Sequence, residues 1–172
     1  MTVYYQVKQA DGQVRGTVML REEHMQDWSV STEEVFEKAI ENTLRSEGLY
    51  WNSMDAVLRR EKLLLFPEKL PESRTGMIVL SGKTGIWGAT AAFLPGTAAR
   101  IYEALGEAFY FLPSSIHEVI IVPFSHAVGG KYLAQTVKDI NHMEIPAEEI
   151  LSDHIYLYNV QTGQMEIVED TE

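Results

Sequence analysis

The run HEVIIVP at residues 117–123 constrains the fold of this chain more than any other segment. It is rich in β-branched residues, which pack well on a pleated surface, so it predicts a buried strand with polar ends. Successive side chains of a strand point to opposite faces, so His117 and Glu118 cannot jointly bind one metal ion. A zinc-binding helix of the HExxH type is also excluded, because position 121 is Ile rather than a second histidine.

Short strand and helix patterns alternate along the rest of the chain. The Asp11-Gly12 pair predicts the turn of a hairpin over residues 3–20, and residues 22–30 are expected to form a connector. Ser31 and Glu34 have the spacing of a capping box, which predicts the start of a helix that ends near Gly48. A shorter helix followed by a strand is expected over residues 52–66.

In the second half of the chain, predicted strands and helices are shorter and follow one another more closely than in the first half. Strands are expected at 77–82, 86–94, 108–113 and 117–123, helices at 97–105, 131–141 and 147–153, and a closing hairpin at 154–168. These elements predict an α+β fold with a largely antiparallel sheet and about four helices packed mainly on one face.

Length and composition favour one globular domain over residues 1–172, with residues 67–76 as a possible connector between two halves. The absence of cysteine excludes disulfides and thiol nucleophiles and is typical of a reducing cytosol, so we expect a cytoplasmic protein. The N-terminus lacks the pattern of a signal peptide, and the apolar runs are too short to span a membrane.

The charge pattern indicates a protein partner rather than a nucleic acid. The net charge is −11, with 25 acidic and 14 basic residues, which disfavours direct contact with phosphates. Glu33, Glu37 and Glu41 form one stripe on the helix that begins after Ser31, and the candidate interaction surface adds the preceding residues Glu22, Glu23, Asp27 and Trp28. This surface is either a solvated face or a docking surface for a basic groove.

Motifs of catalysis and cofactor binding are weak throughout the sequence. No G-x-S-x-G nucleophile elbow is present, although Ser115, His117 and Asp153 form a Ser/His/Asp set that the fold could bring together. Gly76 and Gly82 are separated by five residues, whereas a phosphate-binding P-loop requires four, so residues 82–85 predict a turn. We therefore expect no cofactor and no metal.

Four segments together resemble an uncharacterised bacterial family. They cover residues 22–43, 88–96, 109–123 and 148–159. The chain is similar to the C-terminal half of this domain of unknown function, which occurs in gut anaerobes and often on mobile elements, and whose longer members carry a further N-terminal half. The resemblance implies no biochemical role, but its mobile-element setting suggests, by analogy, inhibitors of host defence nucleases.

The sequence thus predicts a non-catalytic interaction module, in which an acidic surface inhibits a nucleic-acid-handling enzyme in the manner of an anti-CRISPR protein. Two alternatives stay open. One is a small hydrolase-like enzyme that uses Ser115, His117 and Asp153, and the other is a structural subunit of a larger assembly.

Overall fold

The computed structural model describes residues 3–8, 10–113 and 115–168, and the chain divides into two compact units. The first unit ends at Ser46 and the second begins at Glu47. The segment 67–76, considered above as a connector between halves, lies inside the second unit and contains no helix or strand. No helix in the described ranges is both long enough and apolar enough to cross a membrane.

The first unit consists of a hairpin and two helices. Its elements are β1 (Tyr4–Lys8), β2 (Val14–Met19), α1 (Glu22–Trp28) and α2 (Thr32–Ser46). The predicted hairpin is confirmed, with β1 and β2 antiparallel. The connector expected at 22–30 is wrong, because most of it forms α1. Two acids in the first turn of α1 favour helix formation there, and Ser29, at φ +52°, ends the helix.

The second unit is built on a seven-stranded sheet. Its strands are β3 (Tyr50–Ser53), β4 (Leu64–Leu65), β5 (Ile78–Ser81), β6 (Phe109–Leu112), β7 (Glu118–Pro123), β8 (Tyr156–Asn159) and β9 (Gln164–Ile167). They lie in the order β4-β3-β5-β7-β6-β8-β9, and all neighbouring strands are antiparallel. The predicted α+β class and antiparallel sheet are confirmed.

Helices cover both faces of this sheet rather than mainly one. The helices of the second unit are α3 (Met54–Leu58), α4 (Thr97–Leu105) and α5 (Gly130–Glu144), with short 3-10 helices at Gly88–Phe93 and Phe124–His126. One buried cluster joins Phe109 and Val119 to Ile101 of α4, whereas the other joins Tyr110 and Val122 to α5. The expectation of one covered face is wrong because the central strands are apolar on both faces, so each face needs a cover.

Two further elements differ from the sequence prediction. The strand expected at 86–94 is largely a 3-10 helix, and Gly88 shows why the chain bends there. A Cβ at Gly88 would overlap Ser81 Oγ and would lie 2.7 Å from the carbonyl oxygen of His117, so the backbone approaches β5 too closely for a side chain. The helix expected at 147–153 is a turn closed by the bond from Glu149 N to Pro146 O, followed by an isolated bridge between Ile150 and Ser115.

Candidate functional site

The acidic residues singled out in the sequence all lie on the two helices of the first unit. We call Glu22, Glu23, Asp27, Glu33, Glu37 and Glu41 the acidic helix surface; all six are exposed. Glu41 is paired with Lys38 at 2.6 Å, and this hydrogen bond, together with the positive charge of Lys38, lowers the pKa of Glu41. Glu33 and Glu37 belong to no ion pair in the described part of the chain, so their charges are available to a partner.

A capping box fixes the start of the helix that carries the stripe. Ser31 Oγ accepts the backbone N–H of Glu34 at 3.2 Å, and Glu34 Oε2 accepts the backbone N–H of Ser31 at 2.8 Å. These two hydrogen bonds confirm the capping interaction expected from the sequence. The backbone and side chain of Ser31 both lower the pKa of Glu34, because they favour its charged form.

Trp28 lies at the end of α1, next to the acids. Its side chain is 50% exposed, and its ring stacks on the imidazole of His24 with the two centroids 5.9 Å apart. A half-exposed tryptophan next to carboxylates is typical of the aromatic residues that anchor protein–protein interfaces.

The helices of the first unit bury little of their apolar surface. α2 has an apolar side, formed by residues such as Val35, Phe36 and Ile40, but each of these is only half-buried. Neither α1 nor α2 contains a fully buried residue, and Leu44 near the end of α2 is 47% exposed. An amphipathic helix gains most of its stability by covering its apolar side, so this unit has apolar surface left to offer a partner.

Ser115 and His117 lie in the turn between β6 and β7, where both are engaged by the backbone. Ser115 is buried, and its hydroxyl oxygen accepts the backbone N–H of His117 at 3.1 Å. His117 Nδ1 accepts the backbone N–H of Trp87 at 3.2 Å. Because Nδ1 is an acceptor, the ring proton of the neutral form is on Nε2, the nitrogen that faces Glu149 Oε1 at 3.7 Å.

The acid next to His117 is therefore Glu149 rather than Asp153. Asp153 Oδ1 instead accepts a hydrogen bond at 2.8 Å from the side-chain amide of the buried residue Asn141. These contacts connect the loop before β7 to the start of the 3-10 helix Gly88–Phe93 and to the segment before β8. They do not form a Ser–His–Asp relay, in which the histidine would accept the serine proton. The hydrolase hypothesis stays a prediction without a contact that favours it. Ser114, the other serine of this segment of the sequence that could serve as a nucleophile, lies outside the described residues.

Within the described ranges, no three His, Asp or Glu side chains converge in a group that could hold a metal ion. The turn at residues 82–85, compared above with a P-loop, is held by Glu47, whose Oε2 accepts the hydroxyl of Thr84 at 2.8 Å. A carboxylate at this position would repel a phosphate, so the turn is a structural element.

A model of a family of unknown function (DUF5688) matches residues 1–160 of the chain. The chain belongs to this family. The resemblance of the four sequence segments to an uncharacterised domain is thereby confirmed. No curated protein and no solved structure matches this DUF5688 chain with significant similarity.

Glu33, Glu37 and Glu41 of this DUF5688 protein lie on α2, whereas Glu22, Glu23 and Asp27 lie on α1, where the sequence predicts a connector. The sequence does not reveal two features of the second unit. One is the position of Glu149 beside His117, which depends on the bridge between Ser115 and Ile150, two residues that are 35 positions apart. The other is β3, in which Trp51 is 1% exposed. The four-residue strand YWNS is too short for alternation to reveal it.

Proposed function

We propose that this protein is a non-catalytic interaction module whose first unit binds a protein partner with a basic surface. The observation that carries the proposal is the combination on α1 and α2 of exposed carboxylates, a half-exposed Trp28 and an apolar side without a fully buried residue. An interface gains affinity from aromatic and aliphatic anchors and gains orientation from complementary charge, and this unit offers both.

The partner class that we propose is a nucleic-acid-handling enzyme with a basic groove. Such a groove concentrates Lys and Arg to hold phosphates, and a surface of carboxylates on one helix can occupy it in place of the nucleic acid. The net charge of −11 supports attraction to such a groove and repulsion from nucleic acid itself. We place this inhibition in the cytoplasm and, by analogy with small acidic proteins of mobile elements, compare it with that of anti-CRISPR proteins.

The test is a pull-down and a titration against Cas-type nucleases without bound guide, with and without competing nucleic acid. The variant Glu33→Lys/Glu37→Lys is expected to weaken binding about tenfold or more, because two attractive charges become repulsive at the interface. Wild-type binding should also weaken as salt is raised, since exposed charges are screened.

A matched control has the same change in net charge on the second unit. Glu68→Lys/Glu148→Lys replaces two exposed carboxylates there, and we expect it to bind nearly as well as the wild type. Equal losses in both double variants would mean non-specific attraction, and an unchanged affinity of Glu33→Lys/Glu37→Lys would contradict the proposed surface.

A further inference from the structure

A titratable ring holds the backbone of the turn that precedes the 3-10 helix Gly88–Phe93. His117 Nδ1 accepts the backbone N–H of Trp87 at 3.2 Å, and His117 Nε2 lies 3.7 Å from Glu149 Oε1. The His117 side chain is 33% exposed, so protons reach the ring from solvent. Histidine is the side chain whose charge ordinarily changes between about pH 5 and pH 8. A bond to the backbone of this turn therefore depends on the protonation of one ring.

Trp87 has a backbone conformation that a residue with a side chain rarely adopts. Its φ is +52°, in the left-handed region. Gly88 fixes one side of the turn, because its backbone lies against Ser81 and against the carbonyl oxygen of His117. The bond to His117 Nδ1 holds the amide of Trp87 itself. Such a conformation persists only while the surrounding contacts maintain it, so the loss of this bond should change the turn.

Protonation of His117 replaces the acceptor of this bond by a donor. The neutral ring carries its proton on Nε2, so the second proton goes to Nδ1, and both nitrogens of the charged ring are then donors. Nδ1–H and the Trp87 N–H face each other as two donors, which breaks the hydrogen bond. The charged ring is at the same time attracted to the Glu149 carboxylate on its other side. Charging the ring thus weakens one contact of His117 and strengthens the other.

The elements around the ring contribute few ionisable groups. The ionisable side chains on the adjoining turns and at the start of β7 are Glu47, Lys83, Glu118, Glu148 and Glu149. β5 and the 3-10 helix Gly88–Phe93 contain none. Glu118 follows His117 on β7 and interacts with its charge, whereas Glu47 accepts a hydrogen bond from Thr84. Glu149 faces Nε2 directly, so it is the group that attracts the ring once the ring is charged.

We propose that His117 is a pH-sensitive switch for the turn that carries Ile86 and Trp87. While the ring is neutral, Nδ1 holds the Trp87 amide. When the ring is protonated, it moves toward Glu149 and releases the amide. Ile86 is 62% exposed and Trp87 is 46% exposed, so the switch changes how an exposed apolar turn is presented at the surface of the second unit. The proposal does not depend on the partner surface of the first unit.

The test is an NMR titration of the full-length protein from pH 8 to pH 5. The histidine nitrogen signals report which ring atom of His117 carries the proton, and the Trp87 amide signal reports the hydrogen bond. At pH 8 we expect the Nε2–H tautomer. As the ring is protonated, the Trp87 amide signal should move with the same midpoint. Its hydrogen exchange, corrected for the intrinsic effect of pH, should become about tenfold faster, the effect of losing one hydrogen bond.

Three variants separate the ring from its neighbours. His117→Asn keeps an oxygen acceptor in the place of Nδ1 but does not titrate, so the Trp87 amide should stay protected down to pH 5. Glu149→Gln should move the midpoint of the Trp87 change to lower pH, because the charged ring loses its attracting carboxylate. Its matched control is Glu148→Gln, which removes an exposed neighbouring carboxylate and should leave the midpoint near that of the wild type.

A fourth variant distinguishes His117 from the other titrating group nearby. Glu118→Gln should keep the Trp87 response, because the acceptor of the Trp87 amide is the His117 ring. Loss of the response in Glu118→Gln would overturn the proposal, since Glu118 would then be the controlling group. So would a Trp87 amide that stays unchanged while His117 is protonated, or a response that persists in His117→Asn.

Discussion

Glu118 is an acidic residue whose surroundings oppose its charge. It is the first residue of β7, where it pairs with Ser81 and shares a face of the sheet with Ile120 and Val122. Burial raises the pKa of Glu118, and the charge of the neighbouring His117 offsets only part of this effect. The folded state therefore holds a proton that the unfolded state has already released over the pH range just above the ordinary value of 4.5.

Because the pKa is raised in the folded state, Glu118 lowers the stability of the protein at neutral pH. The free energy of unfolding should fall as the pH rises from about 4.5 through the raised pKa of Glu118, and the loss should persist above it. Glu118→Gln should be more stable than the wild type at pH 7, and the difference should vanish in acid. Urea denaturation at a series of pH values measures this, with Glu148→Gln as a control of equal charge. A wild type that is more stable than Glu118→Gln at pH 7 would contradict the expected sign.

At the residue scale, local geometry could be predicted and contacts between distant residues could not. The reciprocal bonds of Ser31 and Glu34 follow from a spacing of three residues, so the sequence contains all that is needed to predict them. The contact of His117 with Glu149 joins segments that are more than thirty residues apart. One sequence carries no signal for such pairs until the strand order is known.

Among the elements, α2 is one that depends on interactions within its own sequence. Ordinary helices of globular proteins are stabilised by packing, but α2 contains no fully buried residue, so its capping box has a larger share in its stability. Glu34 strengthens this dependence, because its pKa is lowered by the bonds to Ser31. The contribution of the Glu34 carboxylate is therefore present at neutral pH and is lost as the pH falls through its lowered pKa.

Ser31→Ala should destabilise α2 by about 1 kcal/mol, through loss of the acceptor for the first-turn amide. We expect lower helicity over residues 32–46, seen in Cα chemical shifts, and faster exchange of the Glu34 amide hydrogen. Ser31→Asp, which keeps an acceptor at the cap, should retain the helix. Glu34→Gln should also keep the helix. Its helicity should not fall in acid, whereas the helicity of the wild type should. Unchanged helicity in Ser31→Ala would show that packing, rather than the cap, holds α2.

Elements with clear local signals formed where the sequence predicted them, and those decided by close packing did not. The helix Thr97–Leu105 has the predicted bounds, because an apolar periodicity is followed by Gly106 at φ +74°. The 3-10 helix at Gly88–Phe93 has strand-like composition but must bend where Gly88 meets β5. β3 escaped prediction because four residues, three of them buried, show no polar alternation.

For the whole molecule, the fold class could be predicted from the sequence, but the order of the strands in the sheet could not. Hairpins such as β8–β9 are expected from their turns, since they join neighbouring segments. The pairings of β5 with β7 and of β6 with β8 connect distant strands, and they place β7 and β6 in the centre of the sheet. These central strands then need covers on both faces, which explains why α4 and α5 lie on opposite faces.

The distribution of buried residues predicts that the second unit folds without the first. Among the residues whose side-chain burial is described, every buried hydrophobic residue lies between Leu49 and Tyr158, and both clusters fall within that range. A fragment that starts at Glu47 keeps this complete core and should unfold cooperatively, with a near-UV circular dichroism signal from packed aromatic rings. The peptide that ends at Ser46 has no fully buried residue among those whose side-chain burial is described, so it should be largely unfolded alone.

Calorimetry of the fragment and of the full chain measures the prediction directly. We expect the two main transitions to lie within a few degrees of each other, since the first unit contributes no buried residue to either cluster. Limited proteolysis of the full chain should cut first near Gly48, a glycine at φ +64° that follows the boundary between the units. A fragment from Glu47 onward that lacks a cooperative transition would contradict the assignment of the complete core to the second unit, because its strands and covering helices would all be present.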